Sequence, residues 1–160
     1  RDYAVTGVQT CALPICHSAS GDAGGLTGVP ARMRLMRQLW MIAAGLNGAA
    51  AVAVGAAAQH LWAGDPHRVM LVETAVRYGL PHAAVLLALV ALPRPAAAAS
   101  LFAVAGGSLA LGVTLFSASL YGLAAGAGPG LAAGAPVGGT LMILGWLLLI
   151  VHAIVGSRAD

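Results

Sequence analysis

The sequence predicts an all-α protein: a bundle of four transmembrane helices with both termini on the cytoplasmic side. Three observations carry that expectation. Of 160 residues, 59% are hydrophobic and only 8% are charged, where soluble domains carry about 25% charged residues. Mean hydropathy is +0.88. Four apolar stretches, 39–58, 75–92, 97–123 and 137–155, each come close to or exceed the roughly 20 helical residues that cross a bilayer, and turn signals separate them.

The segment before the first stretch stands apart. Residues 5–15, VTGVQTCALPI, read as the in-frame translation of a common sequencing-adapter oligonucleotide, and residues 1–15 are set aside on that ground. Residues 16–32 are rich in Gly, Ser and Ala without periodicity, as a disordered tail or translated upstream DNA would be. Met33 and Met36 are both plausible starts, so 33–160 is read as one membrane domain. Cys11 and Cys16 both precede it, which removes disulfides, thiolate metal sites and Cys nucleophiles from that domain.

Stretch 39–58 follows Arg34 and Arg37, and its one strongly polar residue is Asn47. An amide in hydrocarbon points to an interhelical hydrogen bond or, less simply, a ligand contact. Residues 59–74 hold most of the polar side chains: His60, Asp65, His67, Arg68 and Glu73, around a Gly64-Asp65-Pro66 turn. Trp62 suits the membrane interface. The second stretch has Arg77 near its start and Pro81 within it, where a kink or a new helix is expected. Pro93-Arg94-Pro95 closes it.

Residues 97–123 form the expected hub, an uncharged run with small residues on two sides. At about 100° per residue, Ser108, Gly112, Ser119 and Gly122 share one face, while Gly106, Ala110, Ser117 and Tyr121 lie opposite. Small residues on both faces would let two neighbouring helices approach closely. A Gly/Ala/Pro loop at 126–135 follows, and Pro136 suits the first turn of the fourth helix. Trp146 falls in mid-span and His152 near the cytoplasmic end. Arg32, Arg34, Arg37, Arg94 and Arg158 fall on one side and Arg68 and Arg77 on the other, so the positive-inside rule places both termini in the cytoplasm.

Several pieces together carry a resemblance: Gly55-Ala56-Ala57-Ala58-Gln59-His60, Tyr78-Gly79-Leu80-Pro81-His82, Phe116-Ser117-Ala118-Ser119-Leu120-Tyr121, Pro136-Val137-Gly138-Gly139 and Gly145-Trp146. In this order and spacing the chain resembles the YgdD-like family of small inner-membrane proteins, classed as domain of unknown function 423. Its animal relative is the mitochondrial transmembrane protein 256. The resemblance implies a four-helix protein of the bacterial inner membrane; it implies no catalytic residues.

The residues themselves offer limited chemistry. Glu73 and Arg77 stand i, i+4 in the favourable acid-first order, as an interfacial ion pair or as a point of access for a proton or anion. Tyr78 and His82 have the same spacing within a span, where an ionisable group is a functional candidate; a neutral His82 bonded to Tyr78 or to a hub serine is the plainer reading. A pocket, if present, is expected among Tyr78, His82, Ser117 and Tyr121, with His60, Glu73 and Arg77 as interfacial polar groups. His60, Asp65, His67 and Glu73 have no spacing that fixes a metal geometry, so neither metal nor cofactor is expected. There is no nucleophile–base set, paired-carboxylate arrangement or phosphate loop, and the net charge of +3 is too scattered to hold nucleic acid.

Two functions remain. One is a non-enzymatic accessory protein of the inner membrane, packing against the bilayer, itself or a membrane-protein partner through small-residue seams. The other is a small transporter or proton-coupled carrier using His82 and Tyr78.

Overall fold

The computed structural model describes residues 31–92 and 99–156. The adapter-like residues 1–15, most of the 16–32 leader, and Arg94 and Arg158 lie outside them. Helices α1 (Ala31–Leu61), α2 (Pro66–Ala91), α3 (Ala99–Ala124) and α4 (Gly134–Gly156) follow one another in chain order, and a 3₁₀ turn, Pro129–Ala133, precedes α4. All four are long and apolar enough to cross a membrane. Helices α1, α2 and α4 outrun their apolar stretches, because intrahelical hydrogen bonding continues to be favourable beyond the hydrocarbon.

Local chemistry sets the helix ends. Asp65 accepts from the Arg68 backbone N–H at 3.2 Å, and Pro66 opens α2 where its missing N–H costs nothing. At the far end of α3, Gly126 adopts φ +91°. The Ala127 N–H donates to the Gly122 carbonyl at 2.9 Å and the Gly126 N–H to the Leu123 carbonyl at 3.0 Å, which is the pairing of a Schellman cap. Two arginines then complete the C-termini of neighbouring helices. Arg37 of α1 donates to the Val90 carbonyl of α2 at 2.7 Å. Arg68 donates to the Ala124 carbonyl of α3 at 3.2 Å while pairing with Asp65 at 3.0 Å. Each puts a cation where the helix dipole is negative.

Pro81 neither ends α2 nor starts a new helix: α2 runs through it unbroken. The unbroken helix turns Glu73 and His82 to opposite sides. Glu73 faces α1, and His82 reaches towards α4.

Helix α3 is the hub. It packs against each of the other three, while the backbones of α1 and α2 stay clear of α4. The main core cluster gathers round it, with Trp40 and Ala44 from α1, Leu86 from α2, Phe102, Leu109 and Val113 from α3, and Met142 from α4. A second cluster at the Leu61 end joins Ala58, Val72 and Ala124, with Trp62 and Tyr121 packed against it.

The two faces of α3 are used differently. Towards α1, Gly106 lies under the Trp40 indole, where a Cβ would collide with the ring. Two turns of α3 further on, the Asn47 amide of α1 donates to the Thr114 hydroxyl at 2.9 Å and to the Ala43 carbonyl at 2.8 Å. Thr114 passes the chain on to the Ala110 carbonyl at 2.8 Å. The buried amide of Asn47 thus makes the interhelical bond its position in the sequence predicts.

Towards α4 the contact is backbone on backbone. A Cβ at Gly112 would lie 2.8 Å from the Gly138 carbonyl oxygen, and a Cβ at Gly138 would lie 2.6 Å from the Phe116 nitrogen. Gly145 and Gly134 extend the seam, against Leu109 and Ser119 respectively. Gly138, Met142 and Gly145 are the buried residues of α4; the rest of that helix is partly or fully exposed.

Overpacking such a contact costs about 1–3 kcal/mol. Gly138→Ala should therefore lose about that much stability in a detergent unfolding titration. Gly139→Ala, whose Cβ would meet nothing within 4 Å, should stay within about 0.5 kcal/mol of the parent. Equal losses at the two positions would contradict the seam.

Candidate functional site

The polar residues singled out in the spans fall into distinct environments. Tyr78, 46% exposed, sits at the edge of the bundle with its ring in edge contact with Phe116, the centroids 5.3 Å apart. The next residue, Gly79, is buried and approaches Ser117: a Cβ there would lie 3.4 Å from the Ser117 Oγ. Ser117 is itself only 3% exposed, and its hydroxyl, like that of Tyr121 one turn later, is buried without a hydrogen-bond partner. Ser117 and Tyr121 are thus interior groups, whereas Tyr78 and His82 lie at a partly exposed edge.

His82 has its own partners. Its Nδ1 lies 2.8 Å from the backbone carbonyl oxygen of Tyr78, and the indole N–H of Trp146 donates to its Nε2 at 3.2 Å. A carbonyl can only accept, so Nδ1 carries the hydrogen and Nε2 accepts from the indole N–H; one tautomer of the neutral imidazole satisfies both bonds. The rings meet edge-on, with centroids 6.0 Å apart. The expected bond to Tyr78 is made through its backbone carbonyl, which lies one turn back within reach of Nδ1, and α4 brings an indole donor to the other nitrogen.

Trp146 was not evident as a partner in the sequence, since a lone Trp in an apolar run has no periodic signal. Gly134, Gly138 and Gly145 were also not singled out as packing residues. Their spacing of four and then seven keeps them on one helical face and was the signal available.

The groups expected to pack the hub fall as follows. Gly112, Ser119 and Gly122 face α4 and the 3₁₀ turn that precedes it: Ser119 lies against Gly134, and a Cβ at Gly122 would meet Leu131 at 2.9 Å. Ser119 also donates to the Phe116 carbonyl at 2.9 Å. Ser108 is half-buried. His152 packs against Phe102 with the rings tilted by 55° and their centroids 5.1 Å apart.

Near the α1–α2 turn, Glu73 and Arg77 do not form the ion pair their spacing allows. Glu73 instead accepts from the Gln59 side chain at 3.4 Å, and the ion pair found among the described residues is Arg68–Asp65. Packing of α1 alongside α2 explains the switch, since it brings the Gln59 amide to the carboxylate. His60 is exposed at the end of α1. Among the described residues, no group of three or more His, Cys, Asp or Glu side chains is placed to hold a metal ion.

Between α1 and α2 runs an open groove of about 590 Å³. Its α1 wall is Ala51, Val52, Gly55 and Ala56; its α2 wall is Val72, Glu73, Val76, Arg77 and Leu80. Tyr78, His82, Ser117 and Tyr121 do not line it.

Four of the five motif pieces meet in space. Tyr78 and Gly79 of α2 meet Phe116 and Ser117 of α3, Gly138 of α4 meets Phe116 from the other side, and Trp146 of α4 reaches back to His82. They form a single layer of contacts across three helices.

The model of a family described as a protein of unknown function (DUF423) matches residues 54–139, more than half of the chain. No solved structure matches the chain. The matched region contains four of the five motif pieces; Gly145-Trp146 follows it.

Trp146→Phe keeps an aromatic ring but removes the donor to His82. It should cost about 0.6–1.7 kcal/mol, the range of interhelical hydrogen bonds in membranes. The ¹⁵N spectrum of His82 should then lose its uniform Nδ1–H pattern. A spectrum and stability identical to the parent's would show that the bond does not form.

Proposed function

The chain belongs to the DUF423 family, and from that premise we propose that it is a non-enzymatic accessory protein of the bacterial inner membrane. It is a multi-pass membrane protein with four apolar helices. On this reading both termini face the cytoplasm, with Arg32, Arg34 and Arg37 at the cytoplasmic end of α1. It assembles with a second copy or another membrane protein through a seam of small residues.

The observation that carries this reading is the outward face of α1. Gly45, Ala49 and Ala53 are exposed and stand one turn apart, and a Cβ at Gly45 would meet nothing within 4 Å. The bundle buries its α4 glycines internally but leaves this stripe open. Small residues at such spacing let helix backbones approach, and in lipid that approach is a main source of association. The family motifs support the same reading, because their residues pack helices together rather than gathering reactive groups.

A specific observation favours a second reading, a small carrier. The buried Ser117 and Tyr121 hydroxyls, one turn apart on α3 and without partners, could serve a polar solute moving past α2. Against it, both nitrogens of His82 are already engaged.

Crosslinking in native membranes followed by purification distinguishes the two. The parent should yield a discrete crosslinked assembly that Ala49→Leu removes without moving the detergent melting temperature. Persistence of the assembly in that variant would overturn the seam. A pH-dependent flux in proteoliposomes that His82→Phe abolishes would instead establish the carrier, and no flux in the parent would end that reading.

A further inference from the structure

The geometry of the α1–α2 groove points to a binding site for one phospholipid with a primary-amine zwitterionic headgroup, its ammonium on Glu73 and its phosphate on Arg77. This inference goes beyond the accessory role and depends only on the helices lying in a bilayer.

The shape of the groove comes from α1. Ala51, Gly55 and Ala56 are too small to fill the space beside α2, and the floor is narrow: a Cβ at Gly55 would come 3.1 Å from a Val76 methyl. Val52, Val76 and Leu80 make the remaining walls apolar, so the cleft suits a hydrocarbon chain.

Glu73 sits at one end of that cleft and Arg77 one turn further along it. Glu73 and Arg77 both line it and both are exposed. They are one turn apart in an order that favours pairing, yet no ion pair forms between them. Glu73 has only the long 3.4 Å bond from Gln59, and Arg77 makes no hydrogen bond or ion pair among the described residues. The groove therefore presents a separate negative and a separate positive group to whatever occupies it.

Their order along the helix selects the ligand. Glu73 is nearer the polar start of α2, Arg77 is about 6 Å further towards the bilayer centre, and Leu80 is deeper again. In a glycerophospholipid the amine is outermost, the phosphate adjoins the glycerol, and the acyl chain follows. The sequence of groups matches the sequence of side chains, whichever way the bundle faces. A headgroup without an amine would leave Glu73 opposed only by other oxygens. A quaternary amine has no N–H to donate to it. An ethanolamine headgroup supplies both the charge and the donors, and the Arg77 guanidinium suits a phosphate.

The test uses the full chain purified in detergent and offered phosphatidylethanolamine, phosphatidylglycerol and phosphatidylcholine with identical acyl chains, with retained lipid read by native mass spectrometry. One phosphatidylethanolamine should be retained roughly ten-fold more than the others, the scale of one charge-assisted hydrogen bond. Glu73→Gln and Arg77→Gln should each erase most of that preference. Ala56→Phe, which fills the groove from an exposed position, should abolish retention without shifting the melting temperature. Equal retention of the three lipids, or a preference for phosphatidylglycerol, overturns the site even if no variant folds. So does a dimer that excludes lipid and that Ala56→Phe dissociates, since the groove would then belong to a second copy.

Discussion

The backbones of α3 and α4 meet at Gly112 and Gly138, and the position of α4 follows from that contact. Since α4 has no backbone contact with α1 or α2, its attachment is essentially one seam on α3. Lipid offers little hydrophobic reason for one apolar helix to prefer another, so the contact must rest on close fit and the dispersion energy that fit allows. Glycines supply the fit: at Gly138 even one methyl group would occupy the space of the Phe116 backbone. The indole of Trp146 reaches His82, and His152 reaches Phe102, only because this seam sets the height and rotation of α4.

The remaining polar groups follow the rule that hydrocarbon imposes on them, namely that a donor or acceptor without water needs a protein partner. Asn47, Thr114 and the Ala110 carbonyl form a relay across α1 and α3. Arg37 and Arg68 do the same at opposite ends of the bundle, each reaching from one helix to the exposed carbonyls of the next. Ser117, Tyr121 and His152 depart from this pattern, with two buried hydroxyls and a buried Nδ1 that no protein group satisfies.

Much of the architecture is legible in the residues, because length and charge depletion are one-dimensional properties. Four uncharged runs translate directly into four helices, and an amide at Asn47 has few places to go other than a neighbouring helix. The spatial relations are less legible. Spacing alone puts Arg77 within reach of Glu73, but the acid turns to Gln59 on a helix fourteen positions earlier in the chain. Pro81 signals a kink or a new helix, and α2 continues through it as one helix. The α4 glycines are visible in the sequence as a spacing of four and then seven that keeps them on one helical face. Their role as the contact face depends on which side of α3 is left after α1 and α2 have packed, and no local pattern records that.

The attachment of α4 by a backbone seam on α3, with Trp146 reaching His82 of α2, also bears on the order of assembly. A chain leaves the ribosome from its N-terminus, so α1, α2 and α3 are available to one another before α4 exists. Their mutual contacts do not require it: the Trp40–Gly106 fit, the Asn47 relay and the Arg37 and Arg68 caps are all complete within the first three helices. The fourth helix thus arrives at a finished surface and docks as a late addition.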